Sequence, residues 1–332
     1  MRGGEEGWGA QWGTGEDKRD GGCVAARGGS GGARGGESRG AREWMARGAG
    51  GGARAARAGN GQDGRSGRRQ GGKRRARGRK GGGQGSKSRR RAELHTEGDS
   101  LEDEPKHVAI CAAAALLACI NLGTVIGHVA ARAAGNSWDL LASCGFVGLA
   151  GLVAYAFADF ATGVYHWGVD NYGDRNTPVF GYQIDAFQGH HKSPWTITER
   201  GVFNNVHKAC VPALPLLGLM AVCNSFIAPE LMTFLNVFFV SVIMSQEIHK
   251  WAHMLHPPAL VVALQDARVL LSRKVHGLHH NSPFEGNYCI VNGWCNQFLD
   301  RIGFFRKMEL FFFKLNGAVP NTWLLEESLR QR

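Results

Sequence analysis

The sequence lacks the paired cysteines that would mark a disulfide framework or a zinc finger. Its eight cysteines are scattered and include no Cys-x-x-Cys pair. Several fall inside apolar runs, where a cysteine usually acts as a small buried hydrophobic residue. The chain has no His-Glu-x-x-His motif, and its apolar part has no Gly-x-Ser-x-Gly elbow. These absences argue against the common metalloprotease and serine hydrolase architectures.

Residues 1–105 lack apolar periodicity. They contain 31 of the 49 glycines, and their 23 Lys and Arg against 14 Asp and Glu carry +9 of the net charge of +11. Such a segment cannot bury enough apolar surface to offset the entropy of ordering it. We therefore predict a disordered basic Gly/Arg-rich tail at 1–105, a folded domain at 106–315 and a short C-terminal tail at 316–332.

Three functions are open for the basic tail. Arg- and Ser-rich segments are typical of transit peptides, although acidic residues such as Glu5 and Asp17 are unusual there. A basic tract can also bind nucleic acid or an anionic membrane surface through phosphate contacts. The third interpretation is a solvated tail without a partner. We favour a transit peptide and expect no nucleic acid partner.

Four apolar stretches follow the tail and predict an all-α integral membrane protein. They run from Val108 to Ala131, Leu140 to Ala161, Ala209 to Pro229 and Leu231 to Ile248. A bilayer-spanning helix needs about 20 mainly apolar residues, so each stretch is close to the required length. The stretches are apolar on all faces, which disfavours a soluble bundle. Asp159 lies near the end of the second stretch, where we expect a membrane boundary or a polar interior.

The lengths of the connections predict the topology. Short links join the first span to the second and the third to the fourth, whereas the second-to-third link and the C-terminal region are long. Four spans then place the tail, the long link and the C-terminal region on one side. These segments carry nearly all the basic residues, so the positive-inside rule predicts that this side is cytosolic, or stromal in a plastid.

Eight of the 13 histidines fall into four groups. The groups are His166 with Asp170, His190 with His191, His249 with His253, and His276 with His279 and His280. Side chains at positions i and i+4 share one face of a helix, which suits three of these groups. The predicted topology brings all four groups to the same side of the membrane. His207 and His256 fit no group, and a ligand role for His207 stays open.

The number and type of these side chains indicate the metal chemistry. Imidazole nitrogens are good ligands for first-row transition metals. Eight of them exceed the four that one zinc ion needs, so they suit two metals with open positions. Nitrogen-rich sites with open positions are typical of iron that activates oxygen, while zinc-dependent hydrolysis remains an alternative.

Several stretches around these groups resemble the Kua-type lipid desaturase family of the fatty acid desaturase superfamily. They are Ala158–Phe160, Gly163–Trp167, Asp170–Gly173, Gln188–Lys192, Pro194–Thr198, His249–His253, Val262–Asp266, His276–His280 and Asn287–Val291. The similarity covers about residues 106–315. It is closest to the plant and algal branch, the chloroplast palmitoyl-phosphatidylglycerol desaturases, while the animal branch of plasmanylethanolamine desaturases shares the eight histidines.

The resemblance implies a di-iron site that uses O2 and two electrons, with ferredoxin as the expected donor in a plastid. The implied ligands are His166, His190, His191, His249, His253, His276, His279 and His280. Asp170 is either a further ligand or a partner that orients a histidine. We also expect Lys192, Trp195, Arg273 and Lys274 to contact the lipid, although surface solvation explains the basic residues equally well.

The implied reaction introduces a double bond near the carboxyl end of an acyl chain. In palmitoyl-phosphatidylglycerol this would be a trans-Δ3 double bond. The expected location is a chloroplast membrane with the metal site facing the stroma, and the alternative is the endoplasmic reticulum. Two other enzymatic functions are open, plasmanylethanolamine desaturation and hydroxylation on the same metal frame. A non-enzymatic membrane anchor with a basic tail is the alternative from another class.

Overall fold

The computed structural model describes residues 99–132 and 137–331, and in these residues the regular secondary structure is entirely helical. The α helices are α1 (Pro105–Arg132), α2 (Ser137–Asn171), α3 (Gly181–His190), α4 (Val202–Val222), α5 (Pro229–His253), α6 (Ala259–Asp266), α7 (Arg273–His279), α8 (Trp294–Arg301), α9 (Phe304–Asn316) and α10 (Asn321–Arg330). Short 3-10 helices occupy Pro194–Glu199 and Asn224–Phe226. The predictions of disorder and targeting for the basic tail lie almost wholly outside the described residues.

Four of these helices, α1, α2, α4 and α5, are long and apolar enough to cross a membrane. This confirms the predicted all-α architecture with four spans, but several boundaries differ from the prediction. Helix α2 continues ten residues beyond Ala161, because polar side chains there are buried inside the protein and not exposed to lipid. Helix α4 begins at Val202, seven residues before the predicted start, and ends at Val222.

The four long helices pack into a bundle. Side chains of α1, α4 and α5 form its apolar core. Buried side chains in this core include Val125, Leu217 and Met232. Two buried asparagines link helix to helix: Asn121 Nδ2 donates to the carbonyl oxygen of Leu217 (3.2 Å), and Asn236 Nδ2 donates to that of Ala118 (3.2 Å). Large apolar residues remain exposed on the outer faces, as suits surfaces in contact with lipid tails.

The ends of the long helices confirm the relative topology predicted from the connections. Gly201 N donates to the carbonyl oxygen of Leu101 (2.7 Å), so α1 and α4 begin at the same end of the bundle. An ion pair between Arg132 and Glu230 joins the end of α1 to the start of α5 at the opposite end. Helices α2 and α5 therefore end where α1 and α4 begin. We call this the site end of the bundle.

Asp159 of α2 faces a polar interior and organises the segment that follows α7. Its Oδ1 accepts hydrogen bonds from the backbone amides of Val291, Asn292 and Gly293, and its Oδ2 accepts one from Cys295 (2.9–3.1 Å). The carboxylate therefore supplies hydrogen-bond acceptors for backbone N–H groups at the start of α8. A negative charge at this end of a helix is also favoured by the helix dipole. One of the two environments expected for Asp159, a polar interior, is the observed one.

Residues on both sides of the predicted domain pack against it. Asp99–Glu104 lies along the start of α4, where Asn204 N donates to Asp103 Oδ1 (2.6 Å). At the other end, α10 lies in the predicted C-terminal tail and contacts the end of α2. The packed structure therefore begins before residue 106 and extends beyond residue 315.

Candidate metal centre

The structure brings the eight predicted histidines and Asp170 together at the site end of the bundle. They form two groups with geometry suitable for holding a metal ion. The first group consists of His190, His249, His253, His276 and His280, and the second of His166, Asp170, His191 and His279. Within each group the candidate ligand atoms all lie within 4.8 Å of one another.

Imidazole Nε2 atoms converge in the first group. His253 Nε2 lies 2.9 Å from His190 Nε2, 3.1 Å from His249 Nε2 and 2.9 Å from His276 Nε2. His280 Nε2 lies 3.0 Å from His276 Nε2. Two ligands about 2.1 Å from a metal and at right angles to each other would lie about 3.0 Å apart. The spacing of these nitrogens therefore matches the edges of a metal coordination shell.

Asp170 lies at the centre of the second group. Its Oδ2 is 3.2 Å from His166 Nε2, 3.3 Å from His191 Nε2 and 3.5 Å from His279 Nε2. Both carboxylate oxygens of Asp170 and Nε2 of His166 are buried, and none of them makes a hydrogen bond of good geometry despite the short distances to the imidazoles. Unpartnered polar atoms are costly in a protein interior, so this arrangement fits ligands to a cation better than a structural polar cluster.

Helix geometry positions most of these side chains. His166 and Asp170 are one turn apart on α2, and His249 and His253 are one turn apart on α5. His276 and His279 lie on α7, whose first turn is capped by Ser272 Oγ accepting from Val275 N (3.3 Å). The remaining histidines, His190, His191 and His280, lie at the ends of α3 and α7.

Backbone carbonyls hold two histidines of the second group from behind. Nδ1 of His166 lies 2.9 Å from the carbonyl oxygen of Tyr288, and Nδ1 of His279 lies 3.0 Å from that of Gly286. A hydrogen bond from Nδ1 leaves Nε2 free to bind a metal and fixes the orientation of the ring. The contact of His166 joins segments 122 residues apart, so no local pattern could have predicted it, whereas His279 and Gly286 are only seven residues apart.

Burial of the histidines favours their neutral, metal-binding form. Desolvation lowers the pKa of His190, His276 and His280 well below the usual range, and the neighbouring imidazoles lower it further. An imidazole must be deprotonated to bind a metal. The residues present therefore fit two transition-metal ions on the ground of their chemistry as well as their spacing.

The end of α2 is also fixed by the C-terminal helix. Asn321 Nδ2 donates to the carbonyl oxygen of Asp170 (2.8 Å), and Thr322 N donates to Asn171 Oδ1 (3.1 Å). Trp323 Nε1 donates to the buried carboxylate of Glu309 (2.6 Å), which also accepts from Trp167 Nε1 (3.3 Å). Helix α10 therefore supports the turn of α2 that carries His166 and Asp170.

A cavity of about 470 Å³ runs alongside the first group. His190 and His249 lie in its wall, and the apolar part of its lining includes Phe187, Phe238 and Val242. Ligand pockets of drug-sized molecules typically measure about 300–1,000 Å³. At the other end the lining is polar and charged, with Asp99, Tyr182, Arg200 and Lys208. The cavity thus joins a charged mouth to an apolar interior beside the histidines.

The four residues expected to contact lipid do not line this cavity. Lys192, Arg273 and Lys274 are exposed, and Trp195 is half-buried in the 3-10 helix after α3. Arg200 and Lys208 line it instead. Nothing in the local sequence of Arg200 and Lys208 distinguishes them from other basic residues, so their place in the cavity wall could not be predicted.

His207 and His256 lie outside both ligand groups. The ring of His207 stacks on that of His107, with 3.9 Å between the ring centroids. Its Nδ1 lies 2.8 Å from the carbonyl oxygen of Asn204, one helical turn away. His256 is exposed after the end of α5. At this position His207 contributes a side chain to neither ligand group.

Comparison with known proteins agrees with this geometry. Residues 155–323 match the lipid desaturase domain family. Fatty acid desaturase 4, chloroplastic, from Arabidopsis thaliana is 46% identical over 178 residues, which are 53% of this chain and 54% of the relative. Plasmanylethanolamine desaturase 1 from Mus musculus is 38% identical over 181 residues, which are 51% and 66% of the two chains.

The chain thus spans about half the length of the plant relative. No solved structure matches it at a significant level. The family match includes all nine residues of the two ligand groups and the first three residues of α10. Because that match covers half of the sequence, the chain belongs to the lipid desaturase family.

Proposed function

We propose that this protein is a membrane lipid desaturase that introduces a double bond near the carboxyl end of an acyl chain. The observation that carries the proposal is the position of His190 and His249, which belong to a metal-ligand group and also line an apolar cavity. A C–H bond in an alkyl chain offers no group for acid–base catalysis, so a redox-active metal beside the chain is required.

The nine residues would hold two iron ions, with five ligands in the first group and four in the second. When bound, the irons supply the oxygen chemistry that removes two hydrogen atoms from adjacent carbons. The overall balance is one CH2–CH2 unit, O2, two electrons and two protons giving one CH=CH unit and two waters. The electrons come from an external donor, which we propose is ferredoxin.

The protein's own residues bind and orient the substrate. The apolar lining around Phe187, Phe238 and Val242 accommodates the acyl chain and excludes water from it. His190 and His249 lie at one position along the cavity wall, so only the acyl carbons that reach this position would approach the metal centre. A preorganised position of this kind limits reaction to one pair of carbons.

Two lipid products are supported by different relatives. Similarity to the chloroplastic fatty acid desaturase of Arabidopsis thaliana favours an acyl product, which we propose is trans-3-hexadecenoyl phosphatidylglycerol in a chloroplast membrane with the metal site facing the stroma. The mouse relative favours a second candidate, the vinyl ether of a plasmanylethanolamine. Identity to the plant relative is higher, and we therefore place the acyl product first.

Lipid analysis of a host that expresses the full chain tests the proposal. We expect a trans-3-hexadecenoyl chain in phosphatidylglycerol that is absent from cells expressing His253→Ala. A vinyl ether product would select the second candidate, and a hydroxylated acyl chain would point to hydroxylation on the same metal frame. If no oxidised lipid forms although iron-loaded protein is present in the membrane, the enzymatic proposal is wrong and a non-enzymatic anchor is favoured.

A further inference from the structure

A carboxylate of the chain itself occupies the charged mouth of the cavity. Arg200 donates through Nη1 to Asp99 Oδ1 (3.3 Å) and through Nη2 to Asp99 Oδ2, which forms a forked pair. Tyr182 Oη donates to Asp99 Oδ1 (2.6 Å), and Lys208 Nζ lies 3.7 Å from the same oxygen. Three donor groups from different elements therefore converge on one small anion.

The segment Asp99–Glu104 lies across this mouth. Arg200 Nη1 also donates to the carbonyl oxygen of Ser100 (3.0 Å), and Asn204 Nδ2 donates to that of Glu102 (3.0 Å). These bonds and the contact between Leu101 and Gly201 fix the backbone of the segment beside the start of α4. The side chain of Asp99 belongs to the cavity lining.

The charges at the mouth favour an anion. The pKa of Asp99 lies below its usual range: burial alone would raise it, but hydrogen bonds from Arg200 and Tyr182 and the charges of Arg200 and Lys208 outweigh that effect. The carboxylate is therefore ionised at neutral pH. Asp99, Arg200 and Lys208 together carry one negative and two positive charges, so the cations at the cavity outnumber the carboxylate that they bind.

We propose that Arg200, Lys208 and Tyr182 form the binding site for the phosphodiester of the lipid headgroup, and that Asp99 occupies this site when lipid is absent. A phosphodiester presents two equivalent oxygens with one shared negative charge, which the guanidinium fork binds as it binds a carboxylate. This inference rests on the proposed function, since it names the part of the cavity that receives the charged end of the same substrate.

The position of the site in the bundle supports a headgroup and not a soluble metabolite. Arg200 precedes α4 and Lys208 lies within its first two turns, so both are at the site end where the spans begin and end. Headgroup phosphates lie at this depth, and long basic side chains extend towards them. The same cavity continues from these cations into the apolar interior beside His190, as a lipid with a charged head and an apolar tail requires.

Binding of dipalmitoyl phosphatidylglycerol to the purified full-length protein tests the site without any turnover. The lipid is titrated in neutral detergent micelles, with dipalmitoylglycerol as the uncharged lipid of the same chain length. We expect Lys208→Gln and Arg200→Gln to weaken phosphatidylglycerol binding, Arg200→Gln by about tenfold or more, and to leave dipalmitoylglycerol binding unchanged. Arg175→Gln is the matched control, because Arg175 pairs with Asp185 outside the cavity lining.

Asp99→Asn tests the internal competitor separately. Asparagine keeps the shape of the side chain but removes its charge, so phosphatidylglycerol should bind several-fold more tightly than to the unaltered chain. If affinity stays the same or falls in Asp99→Asn, Asp99 is a structural partner of Arg200 and the competitor role is overturned. Since Arg200 also fixes the segment Asp99–Glu104, Lys208→Gln keeps the headgroup site testable if Arg200→Gln does not fold.

Two further outcomes would overturn the headgroup site. The first is unchanged phosphatidylglycerol affinity in both cation variants. The second is inorganic phosphate binding at the cations without competing with phosphatidylglycerol, which would identify a site for a free anion. If either result is obtained while the protein still desaturates lipid, the headgroup site is wrong but the proposed function is not contradicted. Conversely, charge-dependent lipid binding without any desaturated product would support the site and contradict the proposed reaction.

Discussion

Nε2 of His253 lies 2.9 Å from Nε2 of His276, although the two residues belong to different helices and are separated by 23 positions in the sequence. If both nitrogens bind a metal, neither can donate a hydrogen bond through Nε2, and 2.9 Å is then the spacing of two ligands of one ion. His253 also lies within 3.1 Å of His190 and His249. It is therefore the most connected ligand of the first group.

Replacing His253 with alanine should remove the ion of the first group. The remaining ligands lose a central donor, so we expect the iron content to fall by about half and the desaturated product to disappear. Metal analysis of the purified protein and lipid profiling of the host measure the two effects. His207→Ala is the control, because His207 stacks on His107 outside both groups and should leave the iron content unchanged.

Replacing Asp170 with asparagine should affect the second group alone. The substitution keeps the size of the side chain but removes the negative charge that lies 3.2–3.5 Å from three Nε2 atoms. We expect loss of the second ion, retention of the first, and loss of product. Elemental analysis would then report about one iron per chain. Retention of about two irons with altered activity would instead assign Asp170 to orienting a histidine.

Replacing Gly163 with alanine should destabilise the packing of α2 against the segment before α8. A Cβ atom there would lie 2.4 Å from Cys289 Sγ and 3.2 Å from the backbone nitrogen of Cys289. Overpacking of this kind typically costs about 1–3 kcal/mol, which thermal unfolding in detergent would detect as a lower Tm. On the same helix, a Cβ at Gly168 meets nothing within 4 Å, so Gly168→Ala should not lower the Tm.

Deleting residues 321–332 should weaken the metal centre although none of them is a ligand. The deletion removes the hydrogen bonds from Asn321 and Thr322 to the end of α2, and it removes the Trp323 bond to the buried Glu309. Buried polar groups that lose their partners cost about 1–3 kcal/mol each. We expect a lower Tm and a lower iron content.

Deleting only residues 328–332, which are exposed where the structure describes them, is the matched control. It should change neither the Tm nor the iron content. Equal stability of the two truncated proteins would contradict a supporting role for α10.

The membrane fold could be predicted because its causes are local. Length and hydropathy define a span without reference to any other part of the chain, and the i,i+4 spacing of His249 and His253 fixes their common face. The sequence also predicted that the four histidine groups lie on the same side of the membrane. This prediction follows from the number of spans and the lengths of the links between them. The boundaries of α2 and α4 were less accurate because burial of polar residues inside a bundle is a tertiary effect.

The supporting contacts could not be predicted for the same reason. Asp159 meets its amide partners more than 130 residues away, and Arg200 meets Asp99 across about 100 residues. A single sequence holds no signal for such pairs. The predicted lipid contacts Lys192, Arg273 and Lys274 are basic residues close to the histidines in sequence. The cations that line the cavity are instead Arg200 and Lys208.

The decisive measurement for the two-metal site is the iron content of the purified full-length protein. After anaerobic reconstitution and removal of loosely bound metal, we expect about two irons per chain, with one ion lost in His253→Ala and the other in Asp170→Asn. Stoichiometric zinc without iron, or an iron content that neither substitution changes, would contradict the assignment of these nine residues as a two-iron centre.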